Sequence, residues 1–252
     1  MDRLWTDRVW TDRVWTDRVW TACHALMVIA IVSAVAAQAR ASVIDAAASD
    51  RDVITTIVNF FSFFTIWSNV IAAAVLAWAV IASVSHRRRR VESRALSLAL
   101  ICASTYMIVT GIVYNALLRG VELPQGTTVP WSNEVLHLVT PIFMVIVVVT
   151  ARYRGPRLRW RDLAVVVSVP LVWILYTLIR GPLVTNPRTG ERWWYPYPFL
   201  DPHVVAGGWI GVGIYTLAIA VTITGVGWCL VRFANARART ASKPSSGSDR
   251  LS

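Results

Sequence analysis

Lysine is all but missing from this chain: of its 25 Lys and Arg residues, Lys243 is the only lysine. Together with a high alanine content, that bias reflects a GC-rich coding sequence and does not by itself speak of function. Charge of any sign is scarce. Asp, Glu, Lys and Arg make up 15% of the residues, where a soluble domain carries about a quarter. An ordinary soluble globular domain is excluded. Cysteine is scarce too. Cys23, Cys102 and Cys229 lie far apart, in or beside apolar stretches. Such spacing excludes a disulfide framework and a CxxC metal site, so neither a metal nor a cofactor is expected. Nor does an acidic or basic residue fall deep within an apolar stretch, which argues against ion-coupled transport.

What the chain has in plenty is hydrocarbon. Hydrophobic residues make up 56% of its 252 residues, and the mean hydropathy is +0.53. They come in blocks long enough to cross a bilayer, which takes about 20 residues of helix. Six spans are predicted: Trp20–Gln38, Ile54–Ser83, Ala95–Leu118, Asn133–Ala151, Leu163–Ile179 and Val204–Val231. The expected fold class is an all-α polytopic membrane protein with six transmembrane helices, multi-pass in the plasma membrane. The net charge of +11 sits in the connections. His86–Arg94, Arg152–Arg161 and the tail after Val231 hold five Lys or Arg each, against six in the three alternate loops together. Positive loops stay inside, so both termini are expected in the cytoplasm. This placement of charge accounts for the basic character without a nucleic-acid partner. Nothing in the sequence sets an oligomeric state.

Residues 1–19 read as a repetitive extension, built from DRLWT and three copies of DRVWT up to the last Thr21. A period of five turns each copy by about 140° on a helix, so the tryptophans share no face. Four Asp cancel four Arg, so the segment is no polybasic lipid clamp. Deleting Asp2–Thr16 is expected to leave membrane insertion and activity intact. A fractionation and activity assay of the truncated chain checks this. Ala39-Arg40-Ala41 also resembles a signal-peptide cleavage site, but the preceding segment is long and uncharged overall, and the apolar stretch is of full spanning length. Residues 20–231 form the membrane domain. Residues 232–252 form a basic cytoplasmic tail, rich in Ser, Arg, Lys and Gly, that is expected to be disordered.

Polar side chains inside a span are costly and mark functional candidates. In the second span, NFFSFFTIWSN places Ser62, Thr65 and Asn69 on one helical face, with Phe60, Phe63, Phe64 and Trp67 opposite. The polar stripe either lines a pocket or bonds to helix carbonyls and neighbouring helices. In the fourth span, Asn133, His137, Thr140 and Met144 share a face beside Pro141. Proline lacks an N–H, so the carbonyl of His137 loses its helical donor. Histidine can act there as a base, a proton shuttle, a ligand or a packing donor. Both spans enter from outside, so Thr65 and His137 fall within roughly 10 Å of depth of each other. The loop before the last span, ERWWYPYPFLDPH, reads as an interfacial anchor or as a lid with Asp201 supplying a charge.

NFFSFFTIWSN, NEVLHLVTPIF and WWYPYPFLDP resemble the signature segments of the bacterial Pr6Pr family of membrane proteins. That family is in turn similar to the eukaryotic androgen-induced protein and androgen-dependent TFPI-regulating protein family. The resemblance covers Ile54–Val231; the N-terminal repeat has no counterpart in it. It implies a six-span hydrolase of fatty acid esters of hydroxy fatty acids, with Thr65 as nucleophile and His137 as base, acting on a membrane lipid or acyl ester. Glu134 and Asp201 are candidates for a third member, and Asn69 or Asn133 for donors to the oxyanion. Two other readings stand beside it. One is a non-catalytic lipid or small-molecule carrier. The other is a di-haem protein whose axial ligands come from His24, His86, His137 and His203.

Overall fold

The computed structural model of the chain describes residues 2–85, 93–121, 127–151 and 158–241. Among these there are seven helices and no strand. They are α1 Asp2–Ala48, α2 Val53–Phe60 and α3 Phe64–Ser85, then α4 Arg94–Leu118, α5 Pro130–Thr150 and α6 Asp162–Leu183, and α7 Trp209–Ala241. All but α2 contain a stretch long and apolar enough to cross a membrane. The protein is an all-α polytopic membrane protein of six spans. An even number of crossings returns both ends of the chain to one side.

The last span begins at Trp209 and not at Val204, and three further differences from the sequence expectation bear on the chain's organisation. α1 runs unbroken from the repeat into the first span, so residue 20 marks no break in the backbone. α7 continues through Ala241, so the start of the tail is helical, not disordered; residues 242–252 lie outside the described residues, as do 86–92 and 152–157 of the two basic loops. The third difference matters most. The second span is not one helix from Ile54. It breaks at Phe61–Phe63 and restarts at Phe64. Ser62 contributes to the break: its Oγ donates to the carbonyl of Val58 at 2.7 Å, a local bond that competes with helix continuation. Across such a break the 100° bookkeeping fails. Phe60, Phe63 and Phe64 are buried, packed inside the bundle.

α4 is the hub of the bundle. In its apolar window 61% of the residues are buried, against 11% in α1 and 17% in α7. It packs on α3, α5, α6 and α7. Small residues permit this, since helices approach closely where side chains are short. At Gly111 a Cβ would come within 2.9 Å of the Pro141 ring on α5. Ser132 Oγ donates to the Ala34 carbonyl at 2.8 Å and pins the start of α5 to α1. At the far end of the bundle, Arg94 Nη2 lies 2.8 Å from both carboxylate oxygens of Asp162 and joins the first turns of α4 and α6.

Candidate active site

Three local irregularities meet at one end of the bundle. The first is the restart of α3, which puts Thr65 in a first turn. Backbone N–H groups there have no helical acceptor. The Thr65 N–H donates instead to the hydroxyl of Tyr197 at 3.2 Å. The second is a π-turn in α5, Val135–Val139, centred on His137; such bulges recur at functional sites. Pro141 leaves the His137 carbonyl without its helical donor. Asn115 Nδ2 takes that place at 3.3 Å. The third is the aromatic loop, which folds back into the bundle.

The result brings Thr65 Oγ1 to 3.2 Å from His137 Nε2. His137 Nδ1 lies 3.0 Å from the Asn133 carbonyl. A carbonyl oxygen carries no proton, so Nδ1 must donate and Nε2 presents its lone pair to the threonine hydroxyl. The ring is held flat against Tyr114, with centroids 3.8 Å apart and planes at 22°. Thr65 is 7% exposed and His137 is 8% exposed, so the pair is largely shut off from bulk water. Neither ring nitrogen of His137 is free for an axial bond to iron. Elsewhere, His24 packs between Trp20 and Phe143, and His203 stacks on Trp193. His86 lies outside the described residues.

The other sequence candidates take different places. Asn69 Nδ2 donates to the carbonyls of Thr65 and Leu136, at 2.9 and 3.1 Å. It is a brace between α3 and α5, with no donor to spare for an oxyanion. Asn133 Nδ2 donates to the Tyr114 hydroxyl at 2.5 Å; its backbone carbonyl, not its side chain, orients His137. Glu134 faces outward and pairs with Arg119 at 3.0 Å. Asp201 accepts from the backbone N–H of His203 and lies 3.0 Å from its Nδ1. Among the described residues neither carboxylate bonds to His137. Ser62 turns from Thr65 to Tyr176, at 2.8 Å.

Tyr197 is the residue that sequence reasoning missed. Its hydroxyl lies 3.2 Å from Thr65 Oγ1 as well as from the Thr65 nitrogen. Burial pushes its phenol above the usual range, so it remains an O–H donor throughout neutral pH. The loop that carries it is no surface anchor. Trp194, Tyr195, Tyr197, Phe199 and Leu200 are all buried, and the Trp194 N–H donates to the Gly181 carbonyl at 2.9 Å. A Cβ at Gly181 would overlap the Tyr195 ring. Overpacking of this kind costs about 1–3 kcal/mol. Gly181→Ala is therefore expected to lower the melting temperature and to dislodge Tyr197. Thermal denaturation followed by intrinsic fluorescence checks the first effect, and an unchanged transition would show that the loop is seated some other way.

A cavity of about 100 Å³ opens beside Thr65. Its walls come mainly from α4, α6 and α7 and are almost entirely apolar; Thr65 and Tyr197 are among the residues that line it. No protein-family model, curated protein or solved structure matches the chain.

Proposed function

We propose that the protein is a membrane-embedded hydrolase of lipid esters, with Thr65 as nucleophile and His137 as general base. The observation that carries this reading is the Thr65–His137 contact at 3.2 Å, with the opposite ring nitrogen fixed as a donor. The resemblance to the Pr6Pr family and its eukaryotic relatives points to the same two residues. With the positive-inside orientation, the reading puts the site in the outer half of the plasma membrane.

The steps follow from the contacts. His137 Nε2 removes the proton from Thr65 Oγ1 as the oxygen bonds to the ester carbonyl carbon. The carbonyl oxygen becomes an oxyanion, and the Thr65 N–H and the Tyr197 O–H, bonded to each other at rest, both turn to it. Collapse breaks the ester C–O bond, and His137 returns its proton to the departing alcohol. A water, deprotonated by His137, then attacks the acyl-threonine; the C–Oγ1 bond breaks, His137 returns that proton to Thr65 Oγ1, and the acid is released. The Asn133 carbonyl holds the imidazole in the required tautomer throughout. A carboxylate in that place would favour the imidazolium more strongly.

The apolar cavity would also suit a carrier that performs no chemistry. A fluorophosphonate hydrolase probe applied to the full chain in lipid nanodiscs separates the two. Labelling of the wild type, mapped to Thr65 by mass spectrometry and lost in Thr65→Ala, is the expected result. Absence of labelling together with no acid released from any acyl ester would leave the carrier reading in its place.

A further inference from the structure

We infer that the cavity between α4, α6 and α7 seats the ester-proximal end of a single acyl chain, whose remainder stays in the bilayer, and that the chain enters sideways between α6 and α7. This rests on the hydrolase reading for its chemistry but not for its geometry. α6 contributes Val167, Leu171 and Ile174; α7 contributes Thr216, Ile219, Ala220 and Ile223. Both sets recur at intervals of three and four, so each helix gives one continuous stripe to the cavity. Leu171 lines the cavity yet is 53% exposed, and Ala220 also lines it while exposed. Both belong to spanning helices, so the surface they share is a lipid-facing one. The cavity therefore reaches the hydrocarbon layer between these two residues.

The distribution of polarity chooses the occupant. The cavity is polar where Thr65 and Tyr197 stand. Along α7 its wall runs from Thr216 to Ile223, about 10 Å at the helical rise. The Thr216 oxygen is buried with no hydrogen-bond partner, and the Thr110 hydroxyl is taken by Ser68 at 3.0 Å. Of the two, only the Thr216 hydroxyl is unengaged among the described residues, a single polar contact in a wall otherwise of hydrocarbon. Among the described residues no charged side chain lines the cavity, so a phosphate head group drawn in from the side would find no partner there. The first carbons of a hydrocarbon tail, with the ester beside Thr65, match this lining. Pro170, also in the wall, leaves the Val166 carbonyl without its helical donor and loosens α6 beside the opening. An acyl ester already dissolved in the membrane would then bend in at its ester, without crossing the aromatic loop.

The test uses palmitic acid bearing a photoreactive diazirine in its chain, with the full-length Thr65→Ala variant in lipid nanodiscs, so that labelling does not depend on turnover. Cross-links are expected on Leu171, Ala220 or Ile223, and Ala220→Trp is expected to reduce them by about tenfold or more. Leu171→Trp, from the other side of the opening, should do the same; both positions face lipid, so the fold tolerates the added bulk. In the otherwise wild-type protein, the same two tryptophans should depress hydrolysis of palmitoyl esters far more than of acetyl esters. Cross-links confined to other surfaces, or undiminished by either tryptophan, would overturn the acyl seat while leaving the hydrolase reading untouched. Cross-links in the cavity from a protein that cleaves no ester would keep the seat and sink the hydrolase.

Discussion

Thr65→Ala and His137→Ala should each lower kcat on a long-chain acyl ester by about a thousandfold or more, equivalent to ~4 kcal/mol of transition-state stabilisation. The double variant should lose little beyond that. Non-additivity follows from the contact itself. A threonine hydroxyl is far too weak an acid to attack unaided, and His137 Nε2 is the only nitrogen base hydrogen-bonded to it among the described residues. Removing the base leaves a nucleophile that cannot be activated; removing the nucleophile leaves a base with nothing to activate. Thr65→Ser keeps the oxygen and should retain most of the activity. The fold should survive Thr65→Ala. The Thr65 carbonyl still receives bonds from Ser68 and Asn69, and the lost hydroxyl leaves behind a histidine that keeps its bond to Asn133. Steady-state kinetics on the four proteins, each checked for monodispersity and helix content, decide the matter. Losses that multiply in the double variant would mean that the two residues act separately.

Hydropathy made the six spans legible, because a bilayer demands about 20 apolar residues for each crossing whatever the sequence does elsewhere. Thr65 and His137 stood out for a related reason: each is a polar group placed where burial is costly. The break after Phe60 did not stand out. NFFSFF is as apolar as the helix that follows, and a window average does not register a serine hydroxyl bonding back to its own helix. Reading straight through it put Ser62 on the face of Thr65 and Phe63 and Phe64 on the face opposite, as if one helix carried them all. The place of Thr65 at a helix start was lost with it, and so was an N–H that has no helical acceptor. In α5 the proline was visible and the freed carbonyl followed from it, but the acceptor's partner, Asn115, lies on another helix. The carboxylates misled because charge attracts attention. Glu134 is next to Asn133 in sequence, yet it is the uncharged Asn133 carbonyl that faces the imidazole.

Tyr197→Phe is expected to lower kcat by about a hundred- to thousandfold, the range found when one oxyanion donor is removed, with KM nearly unchanged. Long-range tertiary contact alone brings this residue to the site: 132 positions separate it from Thr65, and its prolines on either side read equally well as a surface turn. Its hydroxyl is positioned to act late. In the resting site it is shared between the Thr65 N–H and the Thr65 hydroxyl, and both bonds rearrange once a carbonyl oxygen arrives. A donor that tightens on the oxyanion but not on the neutral ester contributes to the transition state and little to binding. Phenylalanine keeps the ring and hence its edge-on contact with Phe63 and its stacking with Phe199. The loop should therefore stay seated. The variant does strand the Thr65 N–H in a buried site, a cost of about 1–3 kcal/mol, so a lower melting temperature is expected alongside the loss of rate. The two effects separate cleanly. A structural role alone would lower the transition and leave kcat intact below it, whereas an oxyanion donor costs rate at every temperature where the protein is folded. An unaltered kcat in folded Tyr197→Phe would remove the tyrosine from the chemistry and leave the Thr65 N–H as the sole donor.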